Sequence, residues 1–335
     1  MVRSVWQRDS SLPEHPALAG EVRTDVLVIG GGLAGLLTAR ELRQRGVDVV
    51  LVEKDCICSA TTAHTTAKIT AQHGLIYQKL IRSIGIEGAA QYYRANAEAA
   101  ERLKKLCKQF GVPMEEKANF VYSSSRQKLG EELSALHKLG IPAVFEESPP
   151  LPISTAGAVG IPGQAQFHPL KLAEHLAKEL TIYENSRVTE LIGTTAKTEN
   201  GNIQAKKIVV ATHFPFLNKH GSYFLKLYQH RSYLLALENA GKLDAMYVSD
   251  DRKDMSFSSY SGALLLGGGG HRTGKHGGGW QELRDFAARH YPNAVEKDHW
   301  AAQDTMSLDG IPYIGQYSRN TPDLYVAAGF NKWGM

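Results

Sequence analysis

A run of glycines near the N-terminus has the spacing of a phosphate-binding turn. Gly30, Gly32 and Gly35 fit the pattern G-x-G-x-x-G. In that pattern the first glycine permits a tight turn, the second lets the backbone approach a pyrophosphate, and the third lets a helix pack on a strand. The helix that follows presents free N–H groups and the positive end of its dipole to the anion. The pattern therefore predicts dinucleotide binding, with Leu33 and Ala34 in the same site.

An acidic residue at the expected distance supports this interpretation. Glu53 ends the next predicted strand after the glycines, 53 − 35 = 18 residues beyond Gly35, and Lys54 follows it in the predicted site. A carboxylate here would accept hydrogen bonds from the ribose hydroxyls of adenosine, and its charge would repel a 2′-phosphate. NADP is therefore disfavoured, whereas the motif alone leaves both NAD and FAD open.

The segments around the glycines predict a strand, a turn, a helix and a second strand. Residues 25–29 and 47–54 are apolar and rich in β-branched side chains, and residues 36–46 have apolar positions at helical spacing. Residues 84–140 are rich in Ala, Glu, Lys and Leu, which predicts amphipathic helices, with Gly111 as a C-cap.

The second half of the chain predicts a mostly antiparallel sheet. The prolines of residues 149–154 interrupt regular structure, residues 168–180 have a helical pattern, and residues 223–270 are strand-like. A further helix is predicted over 281–292. The glycines at 267–270 lack the Lys-Ser/Thr of a P-loop, so they predict a flexible strand end.

Several short motifs, in a fixed order over residues 24–335, resemble one family. They resemble the D-amino-acid oxidase and glycine oxidase family of FAD-dependent oxidoreductases. The similarity is closest to a subgroup in which the flavin module precedes a Rieske iron–sulfur domain, whose paired Cys and His ligands do not occur in this sequence. The motifs are the opening β-α-β unit, the helix start His168-Pro169, RVTEL (187–191), KKIVVATH (206–213), DGIPYIG (309–315) and LYVAAGF (324–330).

The resemblance implies an α/β fold with two lobes. One is an FAD-binding Rossmann-like lobe of the glutathione-reductase type, and the other is an α+β substrate lobe built on a mostly antiparallel sheet. The predicted FAD-binding lobe is discontinuous. We assign residues 1–83, 155–215 and 300–335 to the FAD-binding lobe, and residues 84–154 and 216–299 to the substrate lobe.

The resemblance also implies cofactor contacts outside the glycine turn. In the family, a stretch of small and hydroxylated residues passes under the pyrophosphate and along the flavin ring. In related dimethylglycine and sarcosine dehydrogenases, a histidine in a comparable stretch is joined covalently to the flavin, so His64 is a candidate for such a bond. The implied contacts are Thr61, Thr62, His64, Thr65 and Thr66 in that stretch, Val188 at the adenine, Ala211 and Thr212 along the cofactor, and Gly329, Asn331, Trp333 and Gly334 near the C-terminus.

The resemblance suggests four catalytic candidates. His271 follows a strand in the place where monomeric sarcosine oxidases have a histidine facing the flavin. Arg231, which alternates with Tyr233 on one predicted strand, and Tyr260 on another are expected near the ring.

Asp304 is the most informative candidate. It stands where glycine oxidases have an arginine that holds the substrate carboxylate. An unpaired carboxylate facing another would be unfavourable, so a cationic amine suits Asp304 better. Alternatively, Asp304 caps a turn or pairs with Arg231 or Arg272.

These observations predict an FAD-dependent oxidoreductase that removes hydride from an amine or amino-acid-like C–N substrate. The predicted electron acceptor is oxygen or an iron–sulfur protein. In the family, the glycines near the C-terminus lead into a long helix, which would lie beyond Met335. We therefore expect weakened FAD binding. The alternative is a truncated, non-catalytic flavin-binding protein or a fragment of a larger Rieske-linked dehydrogenase.

Composition restricts the location and the partners. The formal net charge of +4 is scattered without a basic block, which argues against nucleic-acid binding. Three cysteines make no disulfide framework and no metal site. No apolar run reaches the roughly 20 residues of a membrane span. We therefore expect a cytoplasmic protein without a metal or a membrane partner.

Overall fold

The structure, a computed structural model, describes residues 2–218, 220–250 and 255–332. Over these residues the chain forms seventeen strands, seven α-helices and a short 3-10 helix, Val5–Gln7. The strands are β1 (Gly20–Ile29), β2 (Val49–Val52), β3 (Lys68–Ile69), β4 (Met114–Tyr122), β5 (Val144–Glu146), β6 (Ala158–Phe167), β7 (Thr181–Tyr183), β8 (Glu190–Ile192), β9 (Thr195–Lys197), β10 (Gly201–His213), β11 (Leu227–Glu238), β12 (Met246–Ser249), β13 (Ser256–Tyr260), β14 (Ala263–Arg272), β15 (Val295–Ser307), β16 (Tyr313–Gln316) and β17 (Leu324–Ala328). The helices are α1 (Leu33–Gln44), α2 (Thr61–His64), α3 (Tyr77–Phe110), α4 (Arg126–Lys138), α5 (Pro169–Ala177), α6 (Tyr223–Lys226) and α7 (Gly279–His290).

The first sheet has eight strands and a parallel centre. Its order is β16-β17-β10-β1-β2-β7, and the hairpin β8-β9 joins it through β10. Strand β1 pairs in parallel with β2 and β10, and β10 pairs in parallel with β17. This arrangement confirms the predicted β-α-β unit around the glycines.

Alternation along β1 explains why this sheet is covered on both faces. Val26 and Val28 contribute to one core, which also contains Leu36 of α1, whereas Leu27 and Ile29 contribute to another. Successive side chains of a strand point to opposite faces. A continuous apolar run is therefore the sequence pattern of a strand buried on both sides.

The second sheet has nine strands and is mostly antiparallel, as predicted. Its order is β15-β11-β14-β13-β12-β4-β6-β3, with β5 paired to β6. The pair β12-β4 is parallel. No described helix is long and apolar enough to cross a membrane.

The segment 84–140 is helical only in part, which corrects the sequence prediction. Helix α3 ends at the predicted C-cap, where Gly111 has a φ of 63°. The chain then forms β4 before α4 begins. The last four residues of β4 are buried, so packing in the sheet overrides the helical composition of its flanks.

The glycines at 267–270 also differ from the prediction, because they lie inside β14 and not at a flexible end. A Cβ on Gly267 would overlap the Ser256 hydroxyl, and one on Gly268 would lie 2.7 Å from Met255 Sδ. Close packing therefore requires glycine here.

Sheet membership crosses the predicted lobe boundaries at three places. Strands β3 and β6 and the 300–307 part of β15 fall in segments assigned to the FAD-binding lobe, yet all three strands belong to the second sheet. The lobe boundaries remain a prediction.

Candidate active site

Two of the three motif glycines are required by the fold itself. Gly30 has a φ of 112°, and a Cβ on it would lie 2.5 Å from the carbonyl oxygen of Ala211. A Cβ on Gly35 would overlap the carbonyl oxygen of Gly30. These glycines therefore form the turn and the close packing of α1 on β1, as the motif predicts.

Gly32 is different, because nothing in the protein requires it to lack a side chain. Its φ is −74°, which other residues adopt readily. A Cβ would meet only the Thr62 hydroxyl, at an ordinary 3.5 Å. The space beside Gly32 is therefore available to a ligand, as expected for a backbone that approaches a pyrophosphate.

A large cavity extends from this turn to the second sheet, with a volume of ≈ 1310 Å³. This volume, the open space at Gly32 and the N-terminus of α1 together fit FAD. Most of the predicted cofactor residues line the cavity, namely Gly30, Gly32, Leu33, Ala34, Glu53, Lys54, Thr61, Thr62, His64, Thr65, Thr66, Val188, Ala211, Thr212 and Asn331.

The remaining predicted cofactor residues do not line it. Gly35 packs against Gly30, and Gly329 lies beside Leu227 and Ser307. Trp333 and Gly334 lie outside the described residues.

Backbone donors hold Glu53 in place. Its Oε2 accepts a hydrogen bond from the Gly31 N–H at 2.7 Å, and its Oε1 accepts one from the Asp55 N–H at 3.1 Å. A carboxylate has about four acceptor positions, so both oxygens retain capacity for ribose hydroxyls.

The hydroxyl-rich stretch connects the glycine turn to the second sheet. Thr62 Oγ1 accepts a hydrogen bond from the N–H of Leu33, and Thr61 Oγ1 donates one to the carbonyl oxygen of Gln303. The ring Nδ1 of His64 lies 2.7 Å from the carbonyl oxygen of Ala60, which leaves Nε2 as the other nitrogen. A covalent bond to His64 remains a prediction.

Asp304 is the one predicted catalytic residue that lines the cavity. It lies on β15 opposite His230 of β11. Burial raises the pKa of the Asp304 carboxyl to about 7, and the charge of Lys332 opposes that shift. Within the described part of the chain, Lys332 is the charged group that acts on Asp304, and neither predicted alternative partner, Arg231 or Arg272, forms an ion pair with it.

The other three catalytic candidates lie away from the cavity. On β11 the positions 228, 230, 232, 233 and 234 line it, but Arg231 does not. His271 reaches the cavity only through Tyr233, whose hydroxyl lies 3.0 Å from His271 Nε2. Tyr260 packs in the core, with its ring centroid 4.4 Å from that of Trp6.

Several lining residues were not singled out from the sequence. His73 contacts the Tyr92 hydroxyl at 2.7 Å and the Thr70 carbonyl oxygen at 3.0 Å, and burial lowers the pKa of its ring to about 4. Lys68 ends the small, hydroxylated stretch. A long cationic side chain beside small, hydroxylated residues was the one feature of the sequence that could have marked Lys68 as a lining residue.

A pair of amides on the cavity wall leaves one acceptor free. Gln72 Nε2 donates to the carbonyl oxygen of Val159 at 2.8 Å, so its Oε1 faces Asn119. Asn119 Nδ2 donates to that oxygen at 3.0 Å. The fully buried Asn119 Oδ1 then has no hydrogen-bond partner. Asn119 lies on β4, the strand that the helical prediction missed.

The glycine turn, the FAD-sized cavity and the two sheets define a class of two-lobed dinucleotide-binding oxidoreductases. A family model described as DAO, FAD dependent oxidoreductase, matches residues 25–335, and the chain belongs to this family. The predicted fold, enzyme class and cofactor are thereby confirmed. The chain is an FAD-dependent oxidoreductase.

Individual relatives agree with this assignment. The chain is 34% identical over 356 residues to a Bacillus subtilis (strain 168) protein that carries the name Rieske 2Fe-2S iron-sulfur protein YhfW, with 98% of this chain and 69% of that protein covered. Its fold is similar to glycine oxidase from Geobacillus kaustophilus, with a TM-score of 0.72, 20% identity, and coverage of 93% of this chain and 90% of that one. It is also similar to L-proline dehydrogenase from P. horikoshii, with a TM-score of 0.73, 18% identity, and coverage of 95% and 90%.

Proposed function

We propose that this chain oxidises the C–N bond of an amine or amino-acid-like substrate by hydride transfer to FAD. The observation that carries the proposal is Asp304, a carboxyl group on the wall of the cavity that begins at the glycine turn. Its pKa, raised to about 7, lies near neutral pH. A group with such a pKa is well suited to exchange protons with a substrate.

In this proposal the first sheet holds the cofactor. The backbone at Gly30, Gly32 and Ala34 would hold the pyrophosphate, Glu53 would accept hydrogen bonds from the ribose hydroxyls, and Val188 would contact the adenine. Bound FAD supplies the hydride acceptor. Every other role belongs to side chains that orient the substrate and move protons.

Asp304 then binds the substrate amine. Its carboxylate form pairs with a substrate ammonium and accepts a proton from it, which leaves the nitrogen lone pair available as hydride departs from carbon. Arg231 and Tyr260 have no place in this proposal, because neither lines the cavity. His271 acts only as a support for the Tyr233 hydroxyl.

Two electron acceptors suit this reaction, oxygen and an iron–sulfur protein. The name of the Bacillus subtilis relative supports the second. Reoxidation of the reduced flavin should separate the two. Slow reoxidation in air together with rapid reoxidation by a Rieske protein would favour an iron–sulfur partner.

The test of the proposed function is anaerobic bleaching of the bound flavin by a panel of amines and amino acids. We expect at least one substrate to bleach the 450 nm band, and Asp304→Asn to slow bleaching by cationic substrates about 100-fold. Lack of bleaching by any member of the panel would contradict the proposal. Equal bleaching rates for Asp304→Asn and the wild type would show that Asp304 has no role in the reaction.

A further inference from the structure

The chain contacts strands of both sheets before β1 begins. We call residues 4–18 the N-terminal arm, which starts with the short 3-10 helix Val5–Gln7. The arm precedes residues 25–335, the part of the chain that matches the family. It is therefore an addition to the matched region, and its contacts belong to this chain in particular.

Trp6 is the buried anchor of the arm. Its side chain is fully buried. The indole packs edge-on against the rings of Tyr260 and His168, with centroids 4.4 and 5.4 Å away. Its Nε1 donates a hydrogen bond to the carbonyl oxygen of Thr65 at 2.7 Å. Since an indole nitrogen is a donor only, this carbonyl satisfies the one polar group of the side chain.

A second buried indole holds the neighbouring carbonyl. Trp300 of β15 is also fully buried, and its Nε1 donates to the carbonyl oxygen of His64 at 2.9 Å. The two tryptophans therefore hold consecutive peptide groups, one on each side of the Thr65 Cα. Because each peptide group is a rigid plane, holding both planes fixes the backbone conformation of Thr65. His64, Thr65 and Thr66 line the cavity from this backbone.

Ion pairs hold the arm on the two sides of the indole. Arg8 pairs with Asp298 of β15, which is buried. The Asp9 carboxylate lies 3.0 Å from the ring Nε2 of His168, the N-cap residue of α5. The indole is therefore carried by a segment that is attached both to the second sheet and to a helix.

The far end of the arm supports the chain on the Glu53 side of the same stretch. Glu184 is buried, and one of its carboxylate oxygens accepts a hydrogen bond from the His15 N–H at 3.1 Å. The other accepts one from the Ile57 N–H at 2.6 Å. Ile57 lies between Glu53 and the hydroxylated stretch along the chain. The arm therefore supports the segment from Glu53 to Thr66 near both of its ends.

We propose that Trp6 is a positioning residue for FAD, because it holds residues 64–66 in the conformation in which they meet the cofactor. Without the indole N–H, the Thr65 carbonyl loses its donor and the stretch is free to adopt other conformations. FAD would then have to order the stretch on binding, which costs affinity. By linkage, FAD stabilises the arm by the same factor by which the arm strengthens FAD binding.

The first test compares two tryptophans that donate to different carbonyls. Trp6→Phe removes the N–H and keeps an aromatic ring. Trp280→Phe is the matched control, because the Trp280 indole donates to the carbonyl oxygen of Trp300 at 3.0 Å and not to residues 61–66. Flavin fluorescence titration of the apoproteins measures the affinity for FAD, and urea denaturation measures their stability.

We expect Trp6→Phe to weaken FAD binding about 10-fold, as when one buried acceptor loses its donor. Trp280→Phe should change the affinity less than twofold, even if both variants lose similar stability. That difference would separate positioning of the stretch from packing in general.

The second test uses the wild type alone, so it remains available if Trp6→Phe does not fold. Hydrogen exchange of the Trp6 indole N–H and of the amides of residues 5–8 is followed with and without saturating FAD. We expect FAD to slow this exchange about 10-fold, by the linkage stated above. Helix α7 is the internal control, since none of its described residues lines the cavity, and its exchange should change less than twofold.

Three outcomes would overturn the inference. The first is equal FAD affinity in Trp6→Phe and the wild type. The second is equal weakening of FAD binding in Trp6→Phe and Trp280→Phe, which would assign the effect to packing. The third is an arm whose exchange does not respond to FAD. Flavin that no substrate bleaches contradicts the proposed function but leaves both tests valid, because neither measures turnover.

Discussion

The hydroxyl of Thr62 accepts a hydrogen bond from the N–H of Leu33 at 3.1 Å. Leu33 is the first residue of α1, so its N–H has no partner within the helix. Thr62, which belongs to the short helix α2, therefore caps the N-terminus of α1. The side chain that would normally cap a helix is absent at Gly32, and Thr62 replaces it from a distant part of the sequence.

This contact predicts the effect of removing one hydroxyl. Thr62→Val leaves the N–H of Leu33 buried without an acceptor, and we expect a loss of about 1 kcal/mol in the free energy of unfolding of the apoprotein. The measurement is urea denaturation. Thr38→Val on the same helix is the control, because the Thr38 hydroxyl bonds only to the preceding turn. Equal losses in both variants would show that Thr62 is not a cap.

The glycines of the motif should separate folding from cofactor binding. Gly32→Ala should leave the apoprotein within about 0.5 kcal/mol of wild type, since a Cβ has room there, but should weaken FAD by more than tenfold because it occupies ligand space. Gly35→Ala should destabilise the apoprotein by about 3 kcal/mol through steric overlap. Thermal unfolding and FAD fluorescence titration measure the two effects. Unchanged FAD affinity in Gly32→Ala would show that the pyrophosphate does not lie beside Gly32.

The raised pKa of Asp304 predicts a pH dependence of both activity and stability. Activity with a cationic amine should rise as the pH increases through about 7, because the carboxylate form binds the ammonium. The folded-state pKa lies above the unfolded value of about 3.9, so the stabilising contribution is full below pH 4 and is lost as the pH rises towards 7. Asp304→Asn should remove both trends, whereas Asp285→Asn on the exposed face of α7 should retain them. Identical pH profiles for wild type and Asp304→Asn would exclude this role.

The lowered pKa of His73 predicts that its contribution to stability changes with pH in the opposite direction. Burial lowers the pKa of its ring to about 4, below the unfolded value of about 6.5. Its contribution is therefore present above pH 6.5 and is lost as the pH falls towards 4, because the unfolded chain takes up the proton first. Melting temperatures across this range should fall less steeply in His73→Gln than in wild type. The exposed His276→Gln should behave as wild type, and an equal slope in His73→Gln would contradict the prediction.

The cofactor end of the site could be predicted from the sequence because its signals are local. The glycine turn and Glu53 lie at the ends of recognisable strands, the hydroxylated stretch follows the second of these strands along the chain, and nearly all of these residues line the cavity. The substrate end could not be predicted in the same way. Its residues come from strands far apart in the chain, and Asn119 lies on a strand between two strongly helical segments.

Arg231 shows the physical reason for the remaining errors. Which face of β11 meets the cavity depends on a difference of one residue in register. Between Arg231 and Tyr233 the pairing with β14 is also irregular, because two steps along β11 lie opposite three steps along β14. Composition does not encode this choice. His230 and Ser232 therefore line the cavity in the place where Arg231 and His271 were expected.

The stretch from 61 to 66 bears on how substrate enters. Thr61 bonds to the carbonyl oxygen of Gln303, and the Trp300 indole donates to the carbonyl oxygen of His64, so this stretch is fastened to β15 of the second sheet at two points. Thr62 fastens the same stretch to the glycine turn. Separating the two sheets like the halves of a hinge would break these bonds together. We therefore expect substrate to enter through movement of surface loops and side chains, without a change in the distance between the glycine turn and Asp304.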